Sequence, residues 1–298
     1  MADKIIKALA LEGKVLVTVA NTKELVEYIK QIHDLTPTTT AVLGRVATIS
    51  TIMAHTDIKE EKNNITIQIK GNGPVGSIVS IGSLVGNSAK IKAYAQNSKI
   101  ELPLKEDGKI DVGGAVGNTG FLNIIKENGI TNSNYTGMVP LVTGEIAEDF
   151  TNYFATSEQK PSVIALGVLV NKDGVEQAGG YMINLMPDAT EEDIVKIEQA
   201  VANSENISKM LGDGKTLEEI AKIVTGDEDL KIIDTDLKVE YECLCSIEKI
   251  KNGIILLGKE ELENIFSEEE KINVKCQFCN KEYDYYKIDF EDFLNKEQ

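Results

Sequence analysis

All four cysteines of this chain fall in the last fifth of its 298 residues. Cys243 and Cys245 lie in YECLCSIEKI as C-x-C, and Cys276 and Cys279 lie in INVKCQFCN as C-x-x-C. Each spacing puts two thiolates within reach of one ion, and the two pairs together supply the four sulfur ligands of tetrahedral zinc. The thirty residues from 246 to 275 suffice to fold as a small insert that brings the pairs together. Purely structural cysteines would scatter; these cluster, and we read all four as ligands of one Zn2+ per chain. Four thiolates leave such a site with a net charge of about −2, which Lys249, Lys275 and Lys281 are candidates to offset.

The same sulfurs have a second state. Thiolate is the oxidisable form of cysteine, and each pair is close enough to close on itself. Four cysteines permit three pairings, and a C-x-C disulfide makes a small, strained and therefore labile ring. Oxidation removes the ligands and releases the metal. A structural zinc site contributes on the order of 10 kcal/mol to folding a small domain, so its loss is expected to unfold a module with little core of its own.

No other motif competes. GNGPVG (71–76) matches G-x-G-x-x-G, but the SIVSIG that follows alternates like a strand, whereas a dinucleotide site needs a helix there. We read it as a turn. GGAVGNTG (113–120) lacks the lysine and hydroxyl of a P-loop and reads as a tight loop. His33 and His55 are the only histidines; neither has triad or metal-ligand spacing, and both read as packing or surface residues. SEEEK, near Glu268, reads as a solvated loop.

These residues need a scaffold, and composition bounds it. The length suggests two or three domains. The formal charge is −17, unevenly placed: residues 188–298 carry 29 acidic and 14 basic side chains, leaving 19 and 17 for residues 1–187. An acidic C-terminal third repels phosphate backbones, and tryptophan is absent, so nucleic acid is not an expected partner. MADKIIKALALEGK does not read as a secretory signal. The longest apolar stretch, 38–54, carries Arg45 and many hydroxyls, so it reads as a buried helix rather than a membrane span. A cytoplasmic chain is expected, where clustered thiols bind metal or sense redox state more often than they staple a fold.

Along the chain, GKVLVTVA reads as a strand. A helix capped by Asn21 and Glu24 follows, with Leu25, Ile29 and Ile32 on one face. Thr36-Pro37 opens the buried helix. NITIQIKGNGPVGSIVSIG is a hairpin pattern, AKIKAYAQN and GFLNIIKENG continue as β, and residues 143–159 form a helix striped by Ile146, Phe150 and Phe154. SVIALGVLV reads as a strand buried on both faces, turned by Asp173-Gly174 into AGGYMINLMP. The expected fold class is α+β: a mixed α/β core domain over 1–187, a helical linker over 188–238 and a small zinc-binding domain over 239–298. In the linker, Thr190 with Asp193 and Thr216 with Glu219 are cap pairs. Ile194, Ile197 and Val201 form one apolar stripe, and Leu217, Ile220 and Val224 another.

The whole pattern resembles the bacterial redox-regulated chaperones of the heat-shock protein 33 family. CLCS, CQFC after the insert, GKEELENIF between them, VPLVTGEIAEDFTNYFATSEQKPSVIALGVLV, AGGYMINLMP and QIKGNGPVGSIV carry the resemblance. It implies a cytoplasmic, ATP-independent holdase rather than an enzyme, inactive when reduced and zinc-bound. By the same resemblance, oxidation forms the redox-active disulfides Cys243–Cys245 and Cys276–Cys279. Zinc then leaves, the zinc domain and linker unfold, and a homodimer binds unfolded or partly folded client proteins. Two rivals are a zinc-ribbon adaptor and a thiol–disulfide oxidoreductase using CQFC. The first is disfavoured for nucleic acid by the charge. The second is disfavoured by the strand-like INVK and NKEYDYY around the motif, where a helix N-terminus would be needed.

Overall fold

The computed structural model describes residues 3–60, 62–131 and 133–295. The chain divides into two compact units, Met1–Glu242 and Cys243–Gln298. The first is built around α2 (Pro37–Asp57), opened by Pro37 as the sequence predicts and buried along almost its whole length. A helix apolar all round has to be buried, and its hydroxyls are satisfied internally. Thr48 and Thr51 each donate back one turn over 2.8 Å, and Ser50 donates to Ser80 over 2.7 Å.

The strands around α2 are β1 (Lys4–Ala10), β2 (Val15–Asn21), β3 (Asn64–Lys70), β4 (Ser77–Val85), β5 (Ser88–Ala95), β6 (Phe121–Asn128), β7 (Ser133–Pro140), β8 (Ser162–Val170), β9 (Val175–Leu185) and β10 (Lys231–Tyr241). Among the described residues they form one sheet in the order β7-β6-β3-β4-β5-β10-β1-β2-β9-β8. β3 and β4 pair antiparallel across the 71–76 loop, whose Gly76 takes a φ of +71°, so the glycine-rich segment is the expected turn. The GGAVGNTG loop instead begins with one short helix, α3 (Val112–Val116), because the Asp111 side chain accepts from the Gly114 N–H and caps it.

One further expectation is corrected and one is refined. Helix α1 (Lys23–His33) is not closed by an Asn21–Glu24 box; the Asp3 carboxylate accepts the Glu24 and Leu25 N–H groups at 2.8 and 2.7 Å. β8 is covered on both faces, as its apolar run implies, but it is not an interior strand of the sheet. It is an edge strand with Leu169 exposed, and its apolar run reflects cover by α2 and α4 (Ala147–Thr156) on one side and by part of the linker on the other.

The linker contains α5 (Glu191–Asn203), α6 (Ile207–Gly212) and α7 (Leu217–Thr225). Both expected cap pairs are present as reciprocal capping boxes. These helices cover the face of β1, β2 and β9 turned away from α2. Ile197, Met210, Ile220 and Val224 pack there with Ile6, Val17, Val19 and Tyr181. The segment 231–241, straddling the expected end of the linker, is a strand: β10 sits between β1, antiparallel, and β5, parallel. The second unit holds α8 (Ile247–Ile255), α9 (Lys259–Glu268), the antiparallel hairpin β11 (Lys271–Lys275) and β12 (Glu282–Tyr286), and α10 (Glu291–Leu294). Its described core is small: Ile254, Leu262, Tyr283, Tyr285, Phe290 and Leu294.

Candidate metal centre

INVK and EYDYY alternate at period two and pair as β11 and β12, which fixes the C-x-x-C segment as the turn between them. The Cys276 N–H donates to the Lys281 carbonyl and the Asn280 N–H donates to the Cys276 carbonyl, each over 2.9 Å. Asn280 takes a φ of +59°, a left-handed conformation that asparagine tolerates, and it closes the turn with both thiols presented. The C-x-C segment leads directly into α8. There the Ser246 hydroxyl accepts from the Lys249 N–H over 3.2 Å, and the Lys249 ammonium donates to the Leu244 carbonyl over 2.9 Å.

All four cysteines are reduced and half-buried. Their sulfurs lie within 4.8 Å of one another. Cys243 is 3.7 Å from Cys276 and Cys245 is 3.4 Å from Cys279. A tetrahedral S4 site with metal–sulfur bonds of about 2.3 Å has sulfur–sulfur separations of about 3.8 Å. The donor set and its dimensions therefore fit a soft tetrahedral ion.

Without an ion the thiols are unequal. Burial pushes the Cys243 thiol well above its ordinary range and raises Cys279 as well. For Cys245 burial opposes ionisation, but hydrogen bonds from the Tyr283 hydroxyl and the neighbouring thiols outweigh it and hold the group down to about 7. Cys245 is thus held toward the thiolate, the form that both metals and oxidants require.

The structure brings together every cysteine that the spacing singles out. Of the three lysines, Lys249 sits against the C-x-C carbonyl and Lys281 lies 5.3 Å from the Tyr283 ring centroid, while Lys275 ends β11. His33 and His55 take no part. Their Nε2 atoms lie 3.1 Å from the Ala93 carbonyl and 2.9 Å from the Lys238 carbonyl, in the first unit. Two tyrosines of the site are absent from a reading based on metal ligands alone. Tyr283 lies 3.2 Å from both the Cys245 sulfur and the Cys245 carbonyl oxygen, and Tyr285 donates to the Ile247 carbonyl over 2.8 Å. The signal for them was present in EYDYY, whose alternation places both on one face of the strand.

Comparison with known proteins gives one answer along the whole chain. Residues 3–286 match the family model described as Hsp33 protein. The chain is 43% identical over 285 residues to the 33 kDa chaperonin of Clostridioides difficile (strain 630), with 96% of each covered. It is also 43% identical over 284 residues to that of Caldanaerobacter subterraneus subsp. tengcongensis, with 95% of each covered. The crystal structure of the 33 kDa chaperonin (heat shock protein 33 homolog) of Thermotoga maritima superposes with a TM-score of 0.87 at 33% identity, covering 99% of this chain and 98% of that one.

Proposed function

The chain belongs to the Hsp33 family, and from that membership we propose that it is a redox-regulated, ATP-independent holdase chaperone of the cytoplasm. The observation that carries the reading is the cluster of four reduced sulfurs within 4.8 Å. In the resting state Cys243, Cys245, Cys276 and Cys279 hold one Zn2+, which supplies the cross-link that the small core of the second unit lacks. Each thiolate pair is oxidised by one peroxide. A sulfur attacks the O–O bond and releases hydroxide, then its partner displaces the oxygen from the sulfenic acid. Two electrons leave the two sulfurs, one S–S bond forms, and with two protons taken up the peroxide becomes two waters.

Pairing within each motif, Cys243–Cys245 and Cys276–Cys279, removes all four ligands together. The unit then loses its main source of folding energy, and the linker helices are expected to loosen with it. An oxidised homodimer presents the freed apolar surface to unfolded or partly folded clients, while the acidic side chains keep the complexes in solution. The C-x-x-C segment forms a turn between antiparallel strands, which favours this reading over an oxidoreductase, whose attacking thiol would sit at a helix N-terminus.

The test is aggregation suppression by the full chain, with metal content measured alongside. Reduced protein should carry one zinc and leave a thermally unfolding client to aggregate. Peroxide should release the metal and confer suppression without ATP, and a thiol reductant with zinc should reverse both. Equal suppression by the reduced zinc form and the oxidised form would refute the redox switch.

A further inference from the structure

Among the described residues a tyrosine side chain outside the ligand set reaches the cysteine cluster. Tyr283 is 7% exposed on β12, and its hydroxyl faces two acceptors of the same residue, the Cys245 sulfur and the Cys245 carbonyl oxygen, each 3.2 Å away. A phenol has one hydrogen and can satisfy one of them fully at a time. As a metal ligand the sulfur carries no hydrogen and can only accept, and a charged acceptor draws the phenol hydrogen more strongly than a neutral carbonyl.

Tyr285, two residues on and on the same face of the strand, makes the comparison explicit. Its hydroxyl also crosses to the C-x-C side, but to the Ile247 carbonyl and not to a sulfur. Both tyrosines fasten the C-x-C segment to the C-x-x-C hairpin. Only Tyr283 touches a ligand atom.

We propose that Tyr283 is a positioning residue that donates its hydroxyl hydrogen to the Cys245 thiolate and thereby sets how tightly the cluster holds its metal and how readily peroxide strips it. The inference rests on the zinc-site reading above. A hydrogen bond to a ligating sulfur draws off part of its negative charge and fixes its lone pairs toward the ion. The sulfur becomes a poorer nucleophile toward the peroxide O–O bond while it remains bound. Outer-shell groups of this kind typically govern metal affinity by 10- to 100-fold.

The experiment uses the full-length chain with Tyr283→Phe, which keeps the packed ring and removes only the hydroxyl, beside Tyr285→Phe, which loses a clamp of equal reach without touching sulfur. Zinc affinity is read by chelator competition, and zinc release after a fixed peroxide dose by a chromogenic chelator. Cysteine-resolved alkylation is measured on the reduced, metal-free protein. Y283F should bind zinc roughly tenfold more weakly, release it several-fold faster, and change the alkylation rate of Cys245 before that of the other three. Y285F should leave Cys245 reactivity as in the parent.

Equal effects of the two variants would assign the result to general clamping and overturn the proposal, as would a Y283F protein indistinguishable from the parent. A parent chain that binds no zinc would defeat the zinc-site reading, and the alkylation arm would still decide whether Tyr283 controls Cys245. Should Y283F fail to fold, the unmutated chain loaded with NMR-active cadmium supplies the test. The Tyr283 hydroxyl proton should show scalar coupling to the metal through sulfur, and a slowly exchanging hydroxyl without that coupling would overturn the proposal.

Discussion

Ile220→Ala tests whether the linker is held by its apolar face. Ile220 is fully buried in the cluster that α7 forms with α5, α6 and the outer face of β1, β2 and β9. Helices of 13, 6 and 9 residues are too short to persist alone in water, so docking free energy and local folding free energy are nearly the same quantity. Truncating a buried isoleucine to alanine costs about 2–5 kcal/mol, depending on how far the site collapses. At about 1.4 kcal/mol per tenfold, amides from Glu191 to Thr225 should exchange roughly 30- to 4000-fold faster in the reduced, zinc-loaded variant. The amides of α2 and β2 should stay as slow as in the parent. β10 should also stay slow, because it is paired on both sides within the sheet. Exchange followed by mass spectrometry resolves these segments, and the same variant should need less peroxide to reach full aggregation suppression. Equal acceleration in α2 and in α7 would show that the linker opens only with the whole first unit. Unchanged exchange in α7 would show that the packed face does not hold it. Either result refutes the reasoning.

Three further outcomes are expected. Metal analysis in reducing buffer should find one zinc per chain, and Cys276→Ser should bind it at least tenfold more weakly; parent-like affinity would remove Cys276 from the site. Mass mapping after peroxide should find Cys243–Cys245 and Cys276–Cys279, since short loops close before long ones. A majority of Cys243–Cys276 and Cys245–Cys279, the nearest sulfurs in the resting structure, would contradict it. Glu158→Gln should lower stability at neutral pH by about 1–3 kcal/mol and flatten the acid limb of the stability profile. Burial works against the Glu158 charge, but hydrogen bonds from Lys126 and Tyr153 outweigh it and depress its pKa. A depressed acid contributes stability above its unfolded value of about 4.3 and loses it as pH falls through the folded value. Parallel denaturation profiles of variant and parent between neutral and acid pH would count against that assignment.

The sequence was most informative where chemistry and local geometry coincide. Two tight cysteine pairs point to one shared site regardless of the fold between them, and the structure brings all four sulfurs together. Thr190–Asp193 and Thr216–Glu219 satisfy their own backbone groups, so no distant residue could rewrite them. Long-range effects were the illegible part. Asp3 caps α1 from a different element, and no window around Asn21 contains it. β8 reads as buried because both its faces are apolar, but its edge position depends on strand pairing that one strand's pattern does not carry. β10 hides for the opposite reason. KIIDTDLKVEY carries five charged side chains among its eleven residues, and of its own residues Leu237 and Val239 are buried. Its place is fixed by backbone pairing to β1 and β5, which leaves no hydrophobic signature. Tyr283 was overlooked because a hydroxyl next to a sulfur gives no pattern in one dimension.

The position of β10 bears on how the proposed switch would work. The linker helices end at Thr225 and the first cysteine of the cluster is Cys243, so the chain between them is mostly β10. The strand is fastened polar group by polar group. The Asn87 amide donates to the Asp236 carbonyl over 2.6 Å, Lys90 pairs with Glu240, and the Glu242 N–H donates to the Ile91 carbonyl over 3.0 Å, one residue before Cys243. Pulling β10 from between β1 and β5 would orphan backbone groups on both neighbours, a cost that a few exposed side chains cannot offset. Loss of the metal therefore need not be transmitted along the chain as a tug on α7. With β10 fixed, the linker helices and the cysteine-bearing unit are joined only through a strand that stays in the sheet. In the proposed switch oxidation acts on the cysteines, while the linker is held by its own docking on β1, β2 and β9, the free energy that Ile220→Ala is designed to reduce independently of the thiols.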